Sequence, residues 1–201
     1  MEPQRGTGRK ARVEATAFPR REVVPSSVLG MLLFVGAEVM FFAGLISAFT
    51  IARAGAPRGT WRLGTEPLLP VAATAINTAA LVASGVLLCI SYRQHQRGST
   101  AAARTLLMAC VLGAAFVVLQ GREWVGLLNQ GLTLQSSPRG AFFYLIVGAH
   151  GAHAVGALVG LVFAWWNLRR GTLSPGFFAG VQTFWYFVVG LWPIIYARVY
   201  F

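Results

Sequence analysis

Aspartate is absent from this 201-residue chain, and cysteine, histidine and glutamate are scarce. The two cysteines, Cys89 and Cys110, lie in separate apolar runs without a CxxC spacing, which argues against a disulfide framework or a cysteine metal site. Charged residues make up only 11% of the chain and hydrophobic residues 56%, a balance typical of integral membrane proteins. The sequence therefore predicts a membrane protein with little ionisable chemistry and no soluble domain.

Five apolar runs fill most of the chain, and each is long enough to cross the roughly 30 Å hydrocarbon core of a bilayer as a helix. Short polar or Gly/Pro-containing loops separate them. The pattern predicts an all-α integral membrane helical bundle over residues 26–201. Its five transmembrane helices are predicted at about residues 27–51, 67–92, 101–128, 140–168 and 174–200.

The segment before the first apolar run, residues 1–25, is polar and basic. We expect it to form a disordered cytoplasmic tail, because a full span follows it and not the short apolar core and cleavage site of a signal peptide. The net charge of +11 does not indicate nucleic-acid binding, since the basic residues are confined to the tail and the loops. Their uneven distribution predicts an N-terminus inside the cell and a C-terminus outside.

Small residues recur at every fourth position in two of the predicted helices, a pattern that favours close helix packing. In the fourth helix they are Gly148, Ala152, Gly156 and Gly160. In the second helix they are Ala75, Ala79 and Ala83, accompanied by two candidates for interhelical hydrogen bonds, Asn77 and Ser84.

Two glutamates and two histidines fall inside the predicted spans: Glu38, Glu123, His150 and His153. Glu38 lies near the middle of the first span, where a charged group costs several kcal/mol unless it is paired, hydrated or protonated. It is therefore a candidate functional residue. The two histidines stand three residues apart and so share one face of the fourth helix.

Three interpretations of these groups compete. A haem or metal site is disfavoured, since two histidines on one helical face cannot bracket an iron and further ligands are sparse. A proton path is possible chemically, but the groups are too few for a complete transmembrane route. A buried hydrogen-bond cluster, or a site for lipid headgroups, requires nothing that the sequence lacks, and the residues alone favour it.

Several segments in the correct order resemble subunit III of the haem–copper respiratory oxidases, the cytochrome c and quinol oxidases. The similarity covers nearly all of the chain after the tail, and its most specific motif is Gly148-Ala149-His150-Gly151-Ala152-His153. The other matching segments are Ala37–Gly44, Asn77–Gly85, Leu119–Trp124 and Phe142–Tyr144.

One segment departs from that family. Where the family usually ends with Trp-His-Phe-Val-Asp, this chain has Trp185-Tyr186-Phe187-Val188-Val189. Tyr186 stands for the family's histidine and Val189 for its aspartate. We expect Tyr186 to supply a hydrogen bond in place of that histidine, in one buried polar cluster with Glu123 and His150.

The resemblance implies the short, five-helix form of the family, in a cell inner (plasma) membrane. It implies a non-catalytic chain without a redox cofactor, because haem and copper belong to catalytic subunit I and to a copper-binding or quinol-side subunit II. The family's subunit III holds phospholipid in a cleft, stabilises the catalytic subunit and supports proton uptake and oxygen access. Glu38, Glu123, His150 and His153 match family positions.

Two other functions fit parts of the sequence. The accessory protein of nitric oxide reductase shares much of the pattern. A small proton-linked membrane transporter is the alternative of another class, with Glu38 as its proton-binding site.

Overall fold

The computed structural model describes residues 26–57, 59–61 and 67–201. Their elements are five helices: α1 (Ser26–Gly55), α2 (Val71–Gln96), α3 (Ala102–Asn129), α4 (Pro138–Arg170) and α5 (Pro175–Val199). All five are long and apolar enough to cross a membrane, which confirms the predicted all-α bundle of five spans. The predicted tail, residues 1–25, lies outside the described residues.

Local sequence signals set most of the helix ends. Ser137 and Ser174 precede α4 and α5, and each accepts a hydrogen bond from a backbone N–H three residues on, at 3.0 and 3.2 Å. A proline at the first helical position follows each serine. Gly171 closes α4 with a φ of 69°, a conformation that glycine adopts without strain. The prediction for α2 was four residues too early, because the helix begins after Pro70.

Buried positions in four helices alternate in steps of three and four residues, as in left-handed helix pairs. In α5, for example, the buried side chains are those of Phe178, Val181, Trp185, Val188, Trp192, Ile195 and Val199, and Gly180 is buried beside them. Helix α2 packs against α3 in this manner, and two serines bond across their interface. Ser84 donates to the backbone carbonyl of Ala109 at 2.8 Å, and Ser91 donates to that of Ala102 at 2.9 Å. Ser84 thus makes the predicted interhelical hydrogen bond.

The indole of Trp185 in α5 lies directly against Gly113 of α3. A Cβ atom on Gly113 would lie 2.7 Å from the indole ring, so any larger residue would displace the tryptophan. Trp185 is fully buried, as is Trp192 two turns later. The two indoles form the centre of the packing between α5 and its neighbours.

The predicted small-residue stripes are not packing seams within this chain. On α4, Ala152 and Gly156 are exposed, and a Cβ on Gly148 would meet nothing within 4 Å; only Gly160 packs closely, against Val181. The alanines of the α2 stripe are exposed as well. A helix turns 100° per residue, so each four-residue step rotates by about 40° away from the seam. Seams with an average spacing of 3.5 residues replace the predicted stripes.

Helix α1 is the most peripheral element of the bundle. It contacts only α4 and α5 among the helices, and its only buried side chains among residues 28–55 are Phe42 and Phe49. Large apolar side chains on its other faces are open, with Met40 and Ile51 each 72% exposed. This helix therefore presents an apolar surface on which lipid or other membrane chains can pack.

Candidate functional site

Glu38 of α1 and His153 of α4 form a pair on the side of the bundle that α1 covers. The Oε2 atom of Glu38 lies 2.9 Å from Nε2 of His153, and each side chain is 19% exposed. The rings of Phe42, Phe184 and Phe187 surround the imidazole, with centroid separations of 5.4, 6.2 and 6.4 Å. The Glu38–His153 pair is thus a polar contact within an aromatic surrounding, and it links α1 to α4.

The hydrogen bonds of His153 indicate where the pair can hold its protons. Its Nδ1 atom lies 2.7 Å from the backbone carbonyl oxygen of Ala149, which can only accept, so Nδ1 carries a hydrogen. The contact with Glu38 then requires one more proton. Either a carboxylic acid donates to Nε2, or an imidazolium donates to a carboxylate, and the pair has no net charge in either form. A proton can therefore move between the two atoms without changing the charge of the pair.

Glu123 of α3 accepts hydrogen bonds from three donors, which together we call the Glu123 network. Thr74 donates to Oε2 at 2.8 Å and Asn77 to Oε1 at 3.0 Å, both from α2. Gln120 donates to Oε2 at 3.0 Å from one turn earlier in α3, and its amide also donates to the hydroxyl of Tyr200 at 3.0 Å. The network thus joins α2, α3 and the residue after α5 around one carboxylate, and it contains the interhelical bond predicted for Asn77.

His150 has a different environment from His153, although both lie on α4. It is 1% exposed and stacks on Trp192, with ring centroids 4.9 Å apart and planes at 30°. The ring of Phe116 approaches its edge at 6.5 Å. Neither ring nitrogen of His150 has a hydrogen-bond partner in the part of the chain that the structure describes. Proximity in sequence therefore does not join the two histidines into one site.

The order of these groups along the chain agrees with one protein family. A profile of the family described as "Cytochrome c oxidase subunit III" matches residues 16–201. This chain belongs to that family. It is accordingly a subunit III of a haem–copper oxidase complex in a respiratory chain, and a multi-pass membrane protein.

Individual relatives agree with the family. A protein of Nocardia farcinica described as "Probable cytochrome c oxidase subunit 3" is 31% identical over 182 residues, covering 86% of each chain. "Cytochrome c oxidase subunit 3" of Corynebacterium diphtheriae is 30% identical over 179 residues, again covering 86% of each. The protein of that name from Pongo pygmaeus is 30% identical over 181 residues, which are 85% of this chain and 67% of the relative.

The departure from the family motif in α5 lies away from the Glu123 network. Tyr186 is 36% exposed, and its hydroxyl accepts a hydrogen bond from Gln182 at 2.7 Å, one turn earlier in the same helix. Tyr200, which contacts the network through Gln120, is 14 residues further on, or roughly 21 Å along a helix axis. Val189 packs against Gly85 of α2, where a Cβ would lie 3.2 Å from it.

The predicted cluster of Glu123, His150 and Tyr186 is therefore wrong. Tyr186 follows Trp185, a buried seam position, by one residue, and a step of 100° carries it out of the seam. Positions at similar depth in the membrane can face different directions around their helices, and Tyr186 is exposed whereas His150 is buried. In this subunit III the three residues have different surroundings. Glu123 lies in its hydrogen-bond network, His150 stacks on Trp192, and Tyr186 lies on the outer surface of α5.

We expect Tyr186→Phe to be tolerated in this subunit. The substitution removes one hydrogen bond within an exposed helical face, so the loss of stability should stay below about 0.5 kcal/mol. The measurement is the amount of subunit III that remains bound after the detergent-solubilised complex is purified, with Tyr186→His compared in parallel. Release of the subunit by Tyr186→Phe would mean that a contact of the hydroxyl beyond Gln182, to Cys89 of α2 or to another chain, holds the subunit in the complex.

Three residues of the Glu123 network were missed as site residues from the sequence: Thr74, Gln120 and Tyr200. A signal was present for Gln120, because it precedes Glu123 by three residues and so lies on the same face of the helix. Thr74 likewise precedes Asn77 by three residues and lies on the same face of α2. Tyr200 had no such signal, since its contact spans 80 positions in the sequence.

Proposed function

We propose that this subunit III is non-catalytic, that it stabilises catalytic subunit I, and that it supports proton uptake and oxygen access there. We further propose that it holds phospholipid, and that a copper-binding or quinol-side subunit II completes the complex. The observation that carries the proposal is the 2.9 Å contact of the Glu38–His153 pair on the peripheral side of the bundle. A group of this kind suits exchange of protons near a neighbouring chain.

The position of Glu38 supports a role inside the membrane. It lies 12 residues after Ser26 and 17 before Gly55, or roughly 18 and 26 Å from the two ends of α1. An ionisable group at such depth is costly unless paired, and it generally marks a functional site. His153 supplies the pairing here, and the shared proton keeps the two groups neutral together. The pair can thus remain in the membrane while staying able to accept or donate a proton.

The distribution of potential metal ligands supports a non-catalytic chain. Within residues 26–57, 59–61 and 67–201 no three His, Cys, Asp or Glu side chains come together in a way that could hold a metal ion. A haem–copper oxidase needs several histidines at its metal centres. We therefore assign the haem and copper of the complex to its partner subunits.

The basic end of α4 supports an orientation with the N-terminus inside and the C-terminus outside, in the plasma membrane of a bacterium. Arg169 and Arg170 lie over the rings of Trp165 and Trp166, at 5.3 and 4.6 Å from the ring centroids. Tryptophan is enriched at membrane interfaces, and arginine marks the cytoplasmic side. With an N-terminus inside, the end of α4 falls on that side.

Purification of the tagged chain from mild detergent tests the proposal. We expect a Soret absorption band only when partner chains co-purify, because the haem would belong to them. Mass spectrometry should then find an oxidase catalytic subunit, whereas a nitric oxide reductase chain would favour the accessory-protein alternative. A stoichiometric haem spectrum from the chain separated from all partners would contradict the non-catalytic assignment.

A further inference from the structure

A row of residues at four-residue steps runs along the open face of α5. Its members, which we call the α5 row, are Gln182, Tyr186, Gly190, Ile194 and Arg198, and all are exposed or half-buried. Helix α5 contacts α1, α2 and α4, whereas α1 and α2 make no contact with each other among the described residues. The α5 row therefore lies open in the gap between α1 and α2.

A groove of about 530 Å³ lies between the α5 row and α1. Helix α1 lines it with Ile46 and with three residues that also follow four-residue steps, Val39, Ala43 and Ser47. Ala43, Ser47 and Gly190 are exposed, and a Cβ atom on Gly190 would have nothing within 4 Å. Small residues on both walls allow the backbone of a further helix to approach closely. The groove thus has the form of a surface on which another helix can pack.

Gln182 sets the first requirement for the molecule that covers this surface. It lies 7 residues after Pro175 and 17 before Val199, or roughly 10 and 26 Å from the two ends of α5. Its amide nitrogen donates to the hydroxyl of Tyr186, while its carbonyl oxygen has no hydrogen-bond partner among the described residues. An acyl chain offers no donor at that depth, whereas a polar side chain on a neighbouring helix does.

Arg198 sets the second requirement, at the other end of the α5 row. Its side chain lines the groove, is exposed, and pairs with no carboxylate in the part of the chain that the structure describes. A carboxylate on the covering molecule would complement this charge. A second copy of this chain would not, because a two-fold axis along the membrane normal would bring both Arg198 side chains to the same depth. The charge therefore favours a different chain.

We propose that the α5 row docks a transmembrane helix of another subunit of the oxidase complex. That helix carries a hydrogen-bonding side chain opposite Gln182, a small residue against Gly190 and a carboxylate opposite Arg198. Each four-residue step rotates by about 40° around α5, so the docked helix crosses α5 obliquely, as in right-handed pairs with small residues at their contact. The proposal does not depend on a proton role for Glu38.

Photocrosslinking in membranes that contain the intact complex identifies the docked chain. Ile194→p-benzoylphenylalanine places the probe in the groove, where Ile194 is 53% exposed. We expect a crosslink to one membrane helix of another subunit, mapped by mass spectrometry. The matched control is Val159→p-benzoylphenylalanine on α4, which is 64% exposed but does not line the groove, and it should not capture that helix. Crosslinks from position 194 to lipid alone, or to a second copy of this chain, would overturn the proposal.

Gly190→Leu tests the close approach of the docked helix. The space around Gly190 is empty within this chain, so the variant should reach the membrane in the same amount as wild type. We expect its crosslink from position 194 to fall about tenfold, because the leucine would occupy the place of the partner's backbone. Gly156→Leu is the matched control, since Gly156 on α4 is exposed and equally open, and it should crosslink as wild type. Equal yields from the two variants would contradict the proposal.

A charge reversal tests the chemistry of the docked helix. The complex can assemble through other faces, so failure of this proposal would leave the proposed function of the subunit intact. Arg198→Glu should lower the crosslink from position 194 about fivefold, and a carboxylate-to-lysine change in the captured helix should restore it. Tyr186→Phe is the control that should keep the crosslink, because the hydroxyl of Tyr186 bonds within this chain. An undiminished crosslink in Arg198→Glu, or no restoration by any carboxylate-to-lysine change, would refute the pairing with Arg198.

Discussion

Glu38→Gln is expected to remove most of the labelling of this chain by a hydrophobic carbodiimide. Such a reagent partitions into the membrane and adds to a carboxylic acid. Glu38 carries its carboxyl group on α1, the helix with the fewest buried side chains. In one of the two forms of the Glu38–His153 pair, that carboxyl group holds the proton which the addition requires. Labelling is measured on peptides after the intact complex is treated in membranes.

Glu123→Gln is the matched control for this experiment. Glu123 also lies within a membrane-spanning helix, but three donors occupy its oxygens between α2 and α3. We therefore expect Glu123→Gln to leave the labelling unchanged, and His153→Leu to retain it, since the carboxyl group at position 38 remains. Labelling that persists in Glu38→Gln and is lost in Glu123→Gln would contradict this prediction, because the lipid-accessible carboxyl group would then lie on α3 and not on α1.

The five helices could be predicted from the sequence, because a span needs an apolar length that few other structures require. Ser-Pro pairs encode the starts of α4 and α5 locally, and Gly171 encodes the end of α4. Helix faces were harder to predict. In an apolar chain the lipid-facing and buried sides have similar composition, so a four-residue stripe such as Gly148 to Gly160 was mistaken for a seam.

The ionisable residues could be found from the sequence, but their partners could not. Glu38 and His153 stand out because charge is costly inside a bilayer. Their contact joins α1 to α4 across 115 positions, and no local pattern encodes such a distance. Asn77 was predicted in part. Its type of side chain indicated a hydrogen bond between helices, but the sequence did not identify Glu123 as the acceptor.

The second large effect is expected at the Glu123 network, where Glu123→Leu should loosen α2 from α3. The carboxylate is the acceptor for Thr74, Asn77 and Gln120, and leucine leaves all three donors without it. Interhelical hydrogen bonds in membrane proteins contribute about 0.6 kcal/mol on average and up to about 1.7 kcal/mol. Two of the lost bonds, from Thr74 and Asn77, are interhelical, and the third lies within α3, where a typical hydrogen bond contributes about 0.5–1.5 kcal/mol. Together they predict a destabilisation of about 2–5 kcal/mol.

Glu123→Gln separates the loss of charge from the loss of hydrogen bonds. The new amide keeps one oxygen for Asn77 and presents an N–H to Thr74, whose hydroxyl can turn to donate to the carbonyl of Pro70, 3.0 Å away. The amide of Gln120 can flip so that Oε1, now without a partner, accepts from the new amide. The hydroxyl of Tyr200 then reverses from acceptor to donor.

Thr74, Asn77 and Tyr200 thus keep partners in Glu123→Gln, but the flipped Gln120 turns its N–H groups to the buried position where Oε1 has no partner, and we expect a destabilisation of about 1–3 kcal/mol, smaller than that of Glu123→Leu. The measurement is the unfolding midpoint of the detergent-solubilised complex for wild type and both variants. Equal midpoints for Glu123→Leu and Glu123→Gln would show that the negative charge, and not the three hydrogen bonds, holds α2 against α3.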